Sequence, residues 1–181
     1  ETGEPYILHI DNVKKFSPEI YKELNLKHKT SNLCSEITLT TGPDHLNNIR
    51  TAVCCLSSLN LEYYNEWKDN AEQLIEDIMR FLDNVLDDFI KRAPEKMKNA
   101  IYSAYRERSV GLGVMGFHSF LQKNNIPFES ATTKSYNKQI FSLIKEKSDK
   151  ASLKIANEKI PCPDSFEVLV RKLISSNEIN L

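Results

Sequence analysis

Asn32, Cys34 and Glu36 place an amide, a thiol and a carboxylate at every second position of the stretch Asn32-Leu33-Cys34-Ser35-Glu36-Ile37. Alternate side chains of an extended segment share a face. These three would then point one way, and Leu33, Ser35 and Ile37 the other. A hydrogen-bonding amide, a redox-capable thiol and a general base converging on one spot form a candidate catalytic constellation. The other reading is an ordinary strand with a buried core thiol, because free cysteine packs as a small hydrophobe.

A second pair of thiols lies in Thr51 to Leu61, whose small and apolar residues predict a buried strand or a close approach to a site. Cys54 and Cys55 are adjacent, so on a strand they face opposite sides. Only one can address the cavity that Cys34 faces; alternatively both are core thiols. The fourth cysteine, Cys162, completes a set with no C-x-x-C pair and no zinc-like spacing. So few thiols in 181 residues predict a cytoplasmic protein whose cysteines stay reduced, where a cysteine pair is redox-active sooner than a staple.

The elements that must position these groups follow from periodicity. Residues 5–11 read as a buried strand holding His9 as a core histidine, and residues 12–30 as a solvated, lysine-rich connection with a turn or helix start at Ser17-Pro18. Gly42-Pro43-Asp44 is a break. Residues 70–92 form an amphipathic helix on Leu74, Ile75, Ile78, Met79, Leu82, Val85, Leu86, Phe89 and Ile90, ended by Ala93-Pro94. Glu72, Glu76, Asp83 and Asp87 fall on its predicted solvent face. Residues 95–108 are polar and basic. Gly111 to Gly116 matches G-x-G-x-x-G, but without a βαβ context it reads as a glycine-rich buried strand and not as a nucleotide loop. Helices are predicted over Phe117 to Gln122 and over 132–158, the latter burying Ile140, Ile144, Ala151 and Ile155 with lysines opposite. Pro161-Cys162-Pro163-Asp164 ends it.

A net charge of −1 argues against a nucleic-acid or membrane surface. No apolar run approaches the roughly 20 residues that span a bilayer. The start at Glu1 suggests a segment or a processed product, and no secretory signal is visible.

Four stretches in order carry a resemblance: Asn32-Leu-Cys34-Ser-Glu36-Ile, Cys54-Cys55-Leu-Ser-Ser-Leu-Asn-Leu, Arg106-Glu-Arg108-Ser-Val-Gly-Leu-Gly-Val-Met-Gly-Phe-His118 and Ile126-Pro-Phe-Glu-Ser-Ala. Together they resemble the large, catalytic subunit of class I ribonucleotide reductase. The resemblance implies a helix-rich α/β fold, part of a ten-stranded α/β barrel with a finger loop through its centre. Residues 1–164 would be part of that barrel domain and 165–181 a divergent tail, possessing no Arg-Asn-Ser continuation. Cys34 then matches the thiyl-radical cysteine at the fingertip, Glu36 the catalytic glutamate, Asn32 the substrate-binding asparagine and Cys54 one of two reducing cysteines; Cys55 and Cys162 receive no role.

The same resemblance implies a ribonucleoside diphosphate substrate, a diiron small subunit as radical source, thioredoxin or glutaredoxin as reductant, a homodimer when complete, and nucleotide effectors (ATP and dATP) bound outside this segment. No cofactor or metal is expected within it. Rival readings are a cobalamin-dependent (class II) reductase and a non-catalytic relic that docks through the acidic face of residues 70–92. The missing barrel parts predict an isolated chain without activity, from an excerpt, a split gene or an interrupted reading frame.

Overall fold

The computed structural model describes residues 6–176. In chain order the elements are α1 (Ile10–Phe16), α2 (Glu19–Glu23), β1 (Gly42–Pro43), β2 (Ile49–Arg50), β3 (Leu56–Asn60), α3 (Tyr64–Trp67), α4 (Ala71–Arg92), α5 (Lys98–Glu107), β4 (Gly111–Met115), α6 (Phe117–Lys123), α7 (Ala131–Lys159) and α8 (Pro163–Ser175), with short 3-10 turns between them. The result is helix-rich α/β. The chain divides into two compact units, Glu1–Cys54 with Asp88–Ser109 and Pro161–Leu181, and Cys55–Asp87 with Val110–Ile160.

The second unit is built on a parallel pair, β3 beside β4, in register from Leu56 opposite Gly111 to Asn60 opposite Met115. Parallel strands need a long crossover, and the chain between them is helical. The glycine-rich stretch therefore lies in a strand, although a half-exposed one rather than a buried one. Gly116 closes it at φ 75° as the residue before α6, and a Cβ there would run into the Asn60 side chain. The parallel context missed in the sequence is real, but Gly111 to Gly116 forms a strand and its end, not a phosphate-cradling loop.

Around this pair Leu59, Leu61, Tyr64, Ile75, Phe120, Leu121, Ile140 and Ile144 form one apolar core. Tyr64 and Tyr136 meet Phe120 edge-on, at 5.7 and 5.1 Å between ring centres, the arrangement ring quadrupoles favour. Helix α7 starts on a true cap, with Ser130 Oγ accepting from the Thr133 N–H at 3.1 Å. It buries Ile140, Ile144, Ala151 and Ile155, as its period predicts. The acidic residues of α4 are not a solvated face: Glu76 pairs with Lys154 and Arg80 at 2.8 Å, Glu72 with Lys147 at 3.2 Å and with Lys150, and Asp83 is buried and bonded to Lys159 at 2.7 Å. Lysines of α7 thus cover the surface that the relic reading would use for docking. Val85, placed on the apolar face by its spacing, is exposed.

In the first unit, the start of the chain departs from expectation. Tyr6 to His9 are exposed and carry no strand, and α1 begins at Ile10; Pro5 lies outside the described residues. A strand needs a partner for its backbone, whereas Asp11 in the first turn and Lys14 and Lys15 in the last suit a helix dipole. His9 is therefore no core histidine; His28 is the buried one. Residues 12–30 are not a solvated connection either, because Tyr21, Leu24 and Leu26 form a small core with Val168 of α8. Ser17 and Pro18 do mark the turn between α1 and α2. Residues 95–108 are mainly α5, with Ala100, Ser103 and Ala104 buried.

Candidate active site: a thiol-bearing turn and a buried ionic junction

All four predicted site residues belong to the first unit. Asn32 to Ser35 form a turn, not a strand: the Ser35 N–H donates to the Asn32 carbonyl at 3.1 Å, and Ser35 takes φ 62°. Few non-glycine residues adopt that left-handed conformation. Strand alternation therefore does not apply to these residues. Asn32, Cys34 and Glu36 are exposed and Ser35 and Ile37 half-buried, but Leu33 is 87% exposed. The carboxamide of Asn32 braces the turn, since its Oδ1 accepts from the Ile37 N–H at 3.0 Å and from Ser31 Oγ at 3.3 Å. Ser31 Oγ is also 2.7 Å from the Ile37 carbonyl. Further down, the Thr41 N–H donates to the Lys27 carbonyl at 3.0 Å, closing the base of a loop whose tip is the Cys34 turn.

Cys54 is exposed and Cys55 buried, so the adjacent thiols do face opposite ways. Partial burial, and then the negative charge of Glu36, push the Cys54 thiol above its ordinary value. Among the described residues no group of three or more His, Cys, Asp or Glu could hold a metal ion.

Between the Cys34 turn and Cys54 the chain makes a short hairpin, β1 antiparallel to β2, with Gly42 opposite Arg50. Its turn is closed by Asp44, whose Oδ1 accepts from the Leu46 and Asn48 N–H groups at 2.9 and 3.0 Å. Asp44 Oδ2 accepts from Arg50 Nε at 3.0 Å and Tyr102 Oη at 2.8 Å. Arg50, only 2% exposed, extends its other two nitrogens to Asp164 at 2.5 and 3.0 Å. Arg106 reaches Asp164 at 2.7 Å and Glu167 at 2.6 Å, and Glu167 also meets His45 at 2.8 Å. Burial opposes the charge of Asp44, but bonds from Tyr102, Asn48, Arg50 and Leu46 outweigh it and hold the carboxyl low. Glu167 is likewise held low, burial being overcome by Arg106, His45 and Arg171. Glu107 goes the other way: burial pushes it up despite the Tyr21 hydroxyl donated at 2.7 Å.

Sequence reasoning missed this junction. Asp44 was legible only as part of a Gly-Pro-Asp break, and Asp164 only as part of a helix stop; nothing in a linear reading links two residues so far apart.

The comparisons with known proteins agree with this architecture. The ribonucleotide reductase barrel-domain family matches residues 1–171. The chain is 43% identical over 164 residues to the ribonucleoside-diphosphate reductase large subunit of Invertebrate iridescent virus 3, covering 91% of this chain and 25% of that protein. The putative large subunit of Frog virus 3 is 43% identical over 166 residues, with 90% of this chain and 28% of that one covered. Among solved structures, the Actinobacillus ureae class Id ribonucleotide reductase alpha subunit superposes with a TM-score of 0.82 at 39% identity, over 90% of this chain and 30% of that chain. The fold is thus a piece of a reductase barrel. The chain belongs to the ribonucleotide reductase barrel-domain family and spans a quarter to under a third of the length of these relatives. No described helix is long and apolar enough to cross a membrane.

Proposed function

We propose that this chain is the thiol-bearing part of the catalytic subunit of a class I ribonucleoside-diphosphate reductase, an oxidoreductase that makes deoxyribonucleotides. The observation that carries the reading is the exposed turn that presents Cys34 and Glu36 at the tip of a closed loop, with an exposed Cys54 in the same compact unit. Direct displacement of a ribose 2′-hydroxyl is difficult, because hydroxide leaves poorly. A radical at C3′ makes the loss feasible. Cys34, as thiyl, takes the 3′ hydrogen and returns it at the end. Glu36 removes the 3′-hydroxyl proton, a general-base role worth about 10²–10⁴ in rate. Asn32 already uses its Oδ1 to brace the turn, which leaves its amide N–H groups for a ribose hydroxyl.

Cys54 and a second thiol from outside this chain supply two electrons and two protons. The 2′-oxygen leaves as water, a hydrogen fills its place, and the two sulfurs become a disulfide that thioredoxin or glutaredoxin reopens by exchange. A thiol held protonated suits that donor role. The radical is supplied by a metal-containing small subunit, a diiron one on this reading, and ATP and dATP act elsewhere on a dimeric, cytoplasmic enzyme. Residues 1–164 would be barrel and the following residues a divergent tail, of which 177–181 lie outside the described residues. Similarity to a class Id alpha subunit favours class I over the cobalamin-dependent rival.

The test is Cys34→Ala in the complete subunit: turnover of ribonucleoside diphosphate is abolished while substrate still binds. Retained turnover sinks the assignment. The 181 residues alone turn nothing over, because both ladders among the described residues are only two strands wide and leave open edges.

A further inference from the structure

We propose that Arg50 is a positioning residue that sets the Cys34 turn and Cys54 relative to one another, an inference that rests on the roles given to those thiols above. Arg50 touches neither thiol. It stands in the hairpin that joins them, nine residues after Thr41, whose bond to Lys27 closes the Cys34 loop, and four residues before Cys54. Three donors of its guanidinium are engaged at once: Nε on Asp44 in the same hairpin, and both terminal nitrogens on Asp164 at the start of α8. A planar fork of this kind fixes angle as well as distance, which a lysine ammonium does not. Its face lies 5.5 Å from the centre of the Tyr102 ring, and the Tyr102 hydroxyl returns to Asp44.

Both ends of the hairpin are short and tied. On one side Thr41 is held to Lys27 and Thr40 is buried; on the other the Thr51 N–H donates to Ser103 Oγ of α5 at 2.8 Å. A tilt of the hairpin therefore passes directly into the fingertip loop and into the approach to Cys54. Stability alone does not account for this junction. A buried ion pair is commonly no more stabilising than apolar residues of the same volume. What apolar residues cannot supply is the direction of three hydrogen bonds from one rigid group.

That difference gives the test, made in the complete large subunit carrying this segment. The variant D44N/R50M/D164L removes all three charges together, leaves Arg106 its partner Glu167, and keeps an acceptor at position 44 for the turn. A residue that only stabilises is replaced without catalytic loss once folding is restored. A positioning residue is not. The expected result is a folded protein with a wild-type melting temperature, a KM within about twofold and a kcat lowered about 10–100-fold, the scale that small misplacements of reacting groups reach. The relative rates at which iodoacetamide alkylates Cys34 and Cys54, read by mass spectrometry, also change. Wild-type kcat with an unchanged alkylation ratio overturns the proposal.

Should the triple variant not fold, R50K decides, assayed at a temperature where it and the wild type are both fully folded. A fall in kcat at unchanged KM supports positioning, and wild-type kcat refutes it. Cys34→Ala in the same background separates the two claims: turnover that survives it removes the thiol assignment, whatever Arg50 does.

Discussion

The two units solve the problem of an interior differently. The second fills it with Leu59, Leu61, Ile75, Phe120, Leu121 and Ile140 and keeps its ion pairs at the rim between α4 and α7, with Asp83 buried among them. The first has a small apolar cluster, Tyr21, Leu24, Leu26 and Val168, and puts Arg50, Asp44 and Asp164 inside. Apolar packing is tolerant of direction and strong per unit area. A buried ionic junction is directional and costly to leave incomplete. The unit with the thiol-bearing turn uses the directional kind.

The contrast can be broken most forcefully by deleting one member from each interior. Phe120→Ala is expected to destabilise by about 3–5 kcal/mol, as large-to-small core changes do, with little dependence on salt or on pH between 6 and 8. Arg50→Met is expected to cost a similar amount, about 3–5 kcal/mol, because it strands Asp44 without a counter-charge and leaves Asp164 with Arg106 alone. Its cost shrinks as pH falls and the stranded Asp44 carboxyl protonates. Denaturant melts at several pH values check both, and a pH-independent penalty for Arg50→Met would erase the distinction.

A smaller effect follows from titration of the intact protein. Asp44 and Glu167 have folded values held below the ordinary carboxylate range. Their contribution is present above the unfolded value, about 4, and is lost as pH falls through the folded one. Hydrogen exchange at progressively acidic pH should therefore open peptides 40–54 and 161–176 before peptides 56–87. Glu107 has the opposite sign, since burial raises it. Its presence costs stability as pH rises past the unfolded value, so Glu107→Gln should melt higher than wild type at pH 7 and converge with it near pH 4. Smallest of all is Glu158→Gln, which breaks an exposed bridge to Arg80; a melting temperature indistinguishable from wild type is expected. A marked drop would mean that the ion pairs of the second unit are not peripheral to its stability.

What could be read from the sequence depended on the range of the forces. Helices α4, α6 and α7 were legible to within a residue or two, because their faces repeat at a helical period and their ends carry Pro, Asn and Ser signals. Short apolar runs were not: residues 5–11 look like a strand until one asks what would pair with them. The Asn32–Glu36 stretch stood out by residue type and by family resemblance, but its turn shape was not legible, since a left-handed Ser35 breaks no rule visible in composition. The ionic junction was illegible because Arg50 and Asp164 are brought together by the fold alone. Arg106 was quoted only as part of a motif, while its charge serves Asp164 and Glu167.

The pairing of β3 with β4 also has a consequence in time. Leu56 waits for a partner 55 positions further along the chain. At about 5–20 residues per second of synthesis, that is an interval of about 3–11 s in which β3 has been made and β4 has not. On the side that β4 will cover, the five residues Leu56–Asn60 pass that interval as an open edge, next to Cys54 and Cys55. The parallel topology thus sets a minimum time between the making of the strand and its pairing, which a hairpin of neighbouring strands would not.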